Sequence, residues 1–314
     1  MLIDVHHHAI PPAYAAAISG LDPIPGVDYP TWSPEQSLEV MDHNGIAAAL
    51  LSITSPGVTF LSADQARRLA RQVNEYFASL VAEHPTRFGA FAILPLPDVA
   101  AAKEELAYAI DELGLDGVGL LTSYGSNYLG TPEFEPLLAE IAERGVVVHV
   151  HPTTPPAKDV VNFGLPPSLY DFTFETTRTA VSLLFSGVLD RLPDLQLILS
   201  HAGGTLPFLA KRLTYGPTIG SYLEGKPPAD LIGSLRRLHY DIAMSATDFA
   251  LPALTELAGS SNILFGSDYP FMPAWHTTEN VEGYQAYQGW TPQEREDIGR
   301  HNALKLFPKL AARI

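Results

Sequence analysis

Short apolar runs alternate along this chain with longer stretches in which apolar residues recur every three or four positions. The runs are LIDV (2–5), AAALLSI (47–53), RFGAFAIL (87–94), GVGLL (117–121), VVVHV (146–150), LQLILS (195–200), LHYDIA (238–243) and NILFGS (262–267). Each is short, apolar and followed by polar loop chemistry, which predicts eight strands. The intervening stretches have helical spacing. Over 63–84, residues Ala66, Leu69, Ala70, Val73, Phe77 and Leu80 share one face, and the segments 98–113 and 131–144 turn charged residues outward. Ser33-Pro34 and Thr131-Pro132 are helix-start signals, a hydroxyl to cap and a proline for the first turn. A closing helix over 291–307 begins with the same signal at Thr291-Pro292.

Strands that alternate with helices pair in parallel, and eight such units predict closure into a barrel. The expected fold is α/β, a distorted (β/α)8 TIM barrel formed by residues 1–314 as one domain. A doubly wound open sheet is the alternative, but no Gly-x-Gly-x-x-Gly follows any of the runs. Residues 11–33 are rich in Pro and Gly and show little period, so they are expected to form a small insertion or lid after strand 1.

Composition narrows the chemistry. With 46% hydrophobic residues and 17% charged ones, the chain can bury a large core. A formal charge of −16 argues against nucleic acid or an anionic membrane as partner, because either needs a cationic face. The absence of cysteine removes disulfides and thiolate chemistry, leaving histidine and carboxylate to bind any metal. The first residues lack a signal-peptide pattern, and no apolar run approaches the ~18 residues that cross a bilayer, so a cytoplasmic protein is expected.

Unusual polar residues fall at the ends of the expected strands, the rim where barrels carry their active sites. In VHHHA, alternation points His6 and His8 to one side and His7 to the other. His149 and His151 have the same spacing in VVVHVHP, with His151 at the strand exit. His201 follows strand 6 in LSHAGG, and Asp268 follows strand 8 in FGSDYP, where Gly266 leaves the backbone room to bend inward. Singly, each is more readily a hydrogen-bonded structural residue or a turn former. Together they form an ordered set that converges if the barrel closes, and imidazoles with one carboxylate suit zinc or another divalent transition metal.

These motifs, with FETTRTAVSLLFSGVLDRLPDLQLILSHAGGTLPFLAKRL, ILFGSDYPF and the terminal HNALKLF, resemble the amidohydrolase superfamily along essentially the whole chain. The resemblance is to its amidohydrolase 2 branch, which contains the aminocarboxymuconate-semialdehyde and γ-resorcylate decarboxylase type enzymes. It implies His6, His8, His151 and Asp268 as metal ligands around one ion, with His201 as the adjacent acid/base or substrate-contacting group. It implies catalytic roles for His201 and Asp268. Arg212 in LAKRL corresponds to an arginine that some relatives present to a substrate carboxylate, in certain cases across a subunit interface, and Phe271 to a pocket aromatic. A second arginine of some members has no counterpart in SPEQSLEVMDHNG. A homodimer or homotetramer is implied on the same ground.

The other candidates carry plainer readings. His149 is expected inside the barrel or behind a ligand, and His7 is expected to be structural. Glu175 and Arg178 are either an exposed helical pair or part of the mouth. Asp241 either orients a ligand histidine or serves a turn. Tyr14, Tyr269, Trp275 and His276 either shape a pocket or simply pack.

The resulting expectation is a decarboxylase of a small aromatic or unsaturated carboxylic acid, salicylate-like, working without redox chemistry or an organic cofactor. Its metal would be Zn2+, with Mn2+ as the alternative. The same donors would also serve a hydrolase of lactones, esters or amides through activated water. A non-catalytic barrel with a structural metal is the third reading, disfavoured because structural zinc usually relies on cysteine.

Overall fold

The computed structural model describes residues 1–22, 27–156, 163–223, 228 and 230–314. Eight parallel strands stand in the order in which they occur along the chain: β1 (Leu2–His8), β2 (Ile46–Ser52), β3 (Phe88–Ile93), β4 (Gly117–Leu121), β5 (Val147–His151), β6 (Leu197–Leu199), β7 (His239–Asp241) and β8 (Ile263–Leu264). β8 is short, and the ring closes beyond it through single bonds: Val5 N–H donates to Phe265 O at 3.0 Å, and His8 N–H to Tyr269 O at 2.7 Å. The expected (β/α)8 barrel is therefore present, with an irregular seam between its first and last strands.

The barrel interior is filled from below. Ile3, Val5, Ala48, Leu50, Phe91, Val147, Ile198 and Leu264 form one buried cluster that also includes Ala303, Phe307 and Leu310 from the end of the chain. Phe307 meets Phe91 edge-on, with ring centroids 5.6 Å apart. The terminal helices thus plug the bottom, and the polar rim is left at the top.

Local signals explain most of the outer ring. The helix Ala63–Glu83 buries the expected face, Ala66, Leu69, Ala70, Val73, Phe77 and Leu80. It also buries Asn74, whose amide ties down the end of β3 through Ile93 N–H and Ile93 O. The cap of Ser33 is in place, its hydroxyl accepting from Gln36 N–H, and so is the capping box of Thr291 with Glu294. Thr131 differs from expectation. Its hydroxyl donates back to Tyr128 O across a turn, and the helix starts only at Glu135.

The stretch 11–33 is likewise more regular than its composition suggested, since Pro12–Ile18 is a helix whose buried residues are Tyr14 and Ile18. Residues 23–26 lie outside the described residues. No helix among the described residues is long and apolar enough to cross a membrane.

Truncating the plug tests this arrangement. Phe307→Ala should cost about 3–5 kcal/mol of unfolding free energy in a urea titration, whereas a loss below about 1 kcal/mol would mean that the barrel floor lies outside the cooperative core.

Candidate metal centre

The site begins with an irregularity in β1. Its pairing with β2 skips a residue between Asp4 and His7, so the side-chain alternation changes phase there. Ile3 and Val5 face the barrel interior. After the bulge His6 and His8 do the same, while His7 turns outward to Asp4 and Ser37 at 3.0 and 2.9 Å. Gly266 at the seam makes this possible, because a Cβ there would stand 2.7 Å from the Cβ of His6.

Five side chains converge at the rim. His6 Nε2 lies 3.0 Å from His8 Nε2, and Asp268 Oδ1 lies 3.2 and 3.1 Å from the two. Ligand atoms of His6, His151, His201 and Asp268 all fall within 4.8 Å of one another, close enough to hold a metal ion. His201 and Asp268 reach the cluster from backbones in the left-handed region, at φ of 54° and 64°. Non-glycine residues rarely adopt it, and such strain gathers where geometry serves function.

Each imidazole is oriented from behind. Asp241 Oδ2 accepts from His6 Nδ1 at 2.9 Å, Pro152 O from His151 Nδ1 at 2.7 Å, and Ala243 O from His201 Nδ1 at 3.2 Å. His8 Nδ1 meets Ser52 Oγ at 2.9 Å, a hydroxyl also 3.4 Å from His7 O. With hydrogens kept on Nδ1 by these acceptors, loss of the inner protons turns the Nε2 lone pairs inward. Two lone pairs 3.0 Å apart beside a carboxylate repel unless a cation lies between them. That spacing also suits neighbouring donors held at about 2.0–2.2 Å from one ion. The residues therefore fit a divalent metal.

Electrostatics agrees with this geometry. Burial opposes charge on His6, yet Asp241, followed by Asp268, holds its imidazolium up to about 10. Burial pushes His8 down to about 4, against its bond to Asp268. Burial likewise lowers His151 and His201. Burial alone would raise the Asp268 carboxyl, but hydrogen bonds from His6 and His8 hold it well below the usual range.

Above the cluster opens a cavity of about 570 Å3 with His151, His201 and Asp268 on its floor and Val27, Leu169, Phe172, Met244 and Phe271 among its walls. Phe271 also packs edge-on against His8, ring centroids 5.5 Å apart. Arg212 is exposed on the helix Leu206–Leu213 and does not line this cavity. Glu175 is buried and bonded to Tyr128 at 2.8 Å and to the exposed Arg178, so it ties the helix Pro167–Phe185 to Tyr128, and neither residue of the pair lines the cavity.

His149 lies behind His6, 3.2 Å from Asp241 Oδ2 and stacked on Phe91. Asp241 is the buried group that orients His6, and the turn reading of it falls away. Tyr269 stands against His7, and Tyr14 is buried in its helix. Trp275 is 64% exposed, and neither it nor His276 lines the cavity. Sequence reading missed Ser52 and Thr54, the latter 3.3 Å from His151 and in the cavity wall. A serine ending an otherwise apolar strand was the available signal for the former.

An eight-stranded α/β barrel with a buried histidine and carboxylate cluster at its C-terminal rim places this protein in the class of barrel proteins equipped for a divalent ion. More narrowly, the chain belongs to the amidohydrolase family, whose model matches residues 3–309. A decarboxylase of Aspergillus niger is 40% identical to it over 98% of this chain and 87% of the relative. A 6-methylsalicylic acid decarboxylase of Penicillium expansum is 38% identical over 98% and 96%. A crystal structure of dihydroxybenzoic acid decarboxylase from Polaromonas, with bound manganese and the inhibitor 2-nitroresorcinol, superposes with a TM-score of 0.86 at 25% identity, covering 98% of this chain and 96% of that one. The family inferred from the motifs is borne out.

Protons should compete with the ion. Because the folded protein raises His6 above its ordinary value, its proton is held throughout the neutral range and must leave when metal enters. Affinity measured by chelator competition should therefore rise with pH from about 6 to 8, approaching about tenfold per unit for one proton released. A flat profile would contradict a protonated His6 in the stripped protein.

Proposed function

We propose that this protein is a metal-dependent, non-oxidative decarboxylase of salicylate-like acids. The observation that carries the reading is the set of four imidazoles, each held at Nδ1 and gathered with Asp268 at the base of a largely apolar cavity. The named relatives, decarboxylases of which one acts on 6-methylsalicylic acid, support the reaction and the substrate class over the hydrolysis of a lactone, ester or amide. A cavity that opens onto the cluster also speaks against a purely structural metal.

His6, His8, His151 and Asp268 would hold the ion. The manganese of the Polaromonas structure supports Mn2+, and Zn2+ suits the same donors. When bound, a divalent ion supplies Lewis-acid polarisation of carboxylate and phenol oxygens. The protein does the rest. Val27, Leu169, Phe172 and Phe271 enclose an aromatic ring and exclude water. Loss of carbon dioxide leaves the electron pair of the broken C–C bond on the ring carbon, which must take a proton. Asp268, on the cavity floor, is the carrier in this reading, relaying a proton to that carbon rather than storing it, since its neighbours keep it ionised at rest. His201, fixed at Nδ1 by Ala243 O and also on the cavity floor, is left with Nε2 free to contact the substrate.

The protein is further proposed to work as a homo-oligomer. Phe208, 85% exposed, shares the helix Leu206–Leu213 with Arg212. A second copy covering this face would take Arg212 toward the neighbouring cavity.

Metal-loaded protein given a panel of hydroxybenzoates should release carbon dioxide from 2-hydroxy acids, with 6-methylsalicylate among them, and lose that activity on chelation. His201→Ala should cut kcat by about 10²–10⁴ without loss of fold. Opened lactones with untouched hydroxybenzoates would overturn the reading. Phe208→Glu should shift sedimentation toward the monomer, and Arg212→Ala should raise KM in the intact oligomer. A monomeric wild-type protein would remove both roles.

A further inference from the structure

Behind the cluster, on the outer side of β1, lies a carboxylate that touches no substrate cavity. Asp4 is fully buried, as are His7, Ser37 and Ser267 around it. Its Oδ1 accepts from His6 N–H at 3.0 Å and from Ser267 N–H at 3.1 Å. Its Oδ2 accepts from the Ser267 hydroxyl at 2.6 Å and from His7 Nδ1 at 3.0 Å. The network continues in one direction. His7 Nε2 accepts from Ser37 Oγ at 2.9 Å, and that oxygen accepts from Trp32 Nε1 at 2.8 Å.

These bonds join two segments that ordinary strand pairing leaves loose. Regular pairing of β8 ends at Leu264, and beyond it Asp268 adopts φ 64° while its N–H donates to His6 O at 2.9 Å. His6 is two residues from Asp4, and Asp268 is one residue from Ser267. We propose that Asp4, with Ser267 and His7, is a positioning clamp that sets the separation of His6 and Asp268 across the barrel seam, and through it the geometry of the metal site. A carboxylate suits the task because its oxygens accept, and the four groups around it, from His6, His7 and Ser267, all donate. An amide in its place would turn N–H groups toward donors and break at least one bond.

The inference rests on the metal-site reading above, and its test reads the site separately from turnover. Asp4→Asn and Ser267→Ala proteins are compared with wild type after loading with Co2+. Folded variants, judged by far-ultraviolet circular dichroism, should show shifted visible d–d bands and bind Co2+ about 10–100-fold more weakly in chelator competition. Their kcat should fall with KM held within about twofold.

A wild-type cobalt spectrum and affinity in folded variants would overturn the clamp. If Asp4→Asn does not fold, Ser267→Ala decides, since it keeps the backbone bond to Asp4 and removes only the hydroxyl. Failure of Ser267→Ala to fold would make the network an element of the fold and overturn the positioning role. Should wild type bind cobalt yet decarboxylate nothing, the proposed function fails and the spectrum still judges the clamp.

Discussion

Two imidazole nitrogens 3.0 Å apart, both turned inward and both within 3.2 Å of one carboxylate oxygen, are the constraint from which the rim of this barrel follows. Such a grouping is repulsive without a shared positive charge. The surroundings supply everything else needed to hold it. Asp241, Ser52, Pro152 O and Ala243 O each fix one ring at Nδ1, so the direction of each ring is set before any ion arrives. Preorganisation of this kind means that binding costs little rearrangement.

Holding the donors in place requires a rigid base, because two of the converging residues stand in strained backbone. The barrel supplies it through an apolar interior plugged by Ala303, Phe307 and Leu310 and through the seam bonds between β1 and the chain after β8. Strain at His201 and Asp268 persists only because the flanking strands are buried on all sides. The bulge between Asp4 and His7 belongs to the same design. It lets one strand contribute apolar filling below and two inward imidazoles above.

The charge balance of the molecule is reconciled at this point. A protein with a formal charge of −16 is a poor attractor of carboxylic acids. A divalent ion held by three neutral imidazoles and one carboxylate would leave a local centre near +1, buried where screening is weak. The cavity walls add apolar surface, which suits an aromatic ring and would leave such an ion as the main anchor of an anionic end.

The sequence by itself determined the alternation of strands and helices, the barrel class and the ordered histidines with Asp268, because these depend on periodicity and on residue types at strand ends. Family membership was legible for the same reason, and so was the packing face of the helix Ala63–Glu83. Other features depended on tertiary structure. Whether Asp241 served a turn or a histidine turned on closure of the ring, which brings its carboxylate within hydrogen-bonding distance of His6, 235 positions away. Thr131 looked like a cap but bonds to the preceding turn, since a hydroxyl takes whichever partner the chain brings nearest. The bulge in β1, the left-handed φ of His201 and Asp268, and the burial of Glu175 and Asp4 leave no trace in local composition. Each arises from bonds between segments far apart in the chain, and only the closed barrel brings those segments within hydrogen-bonding distance.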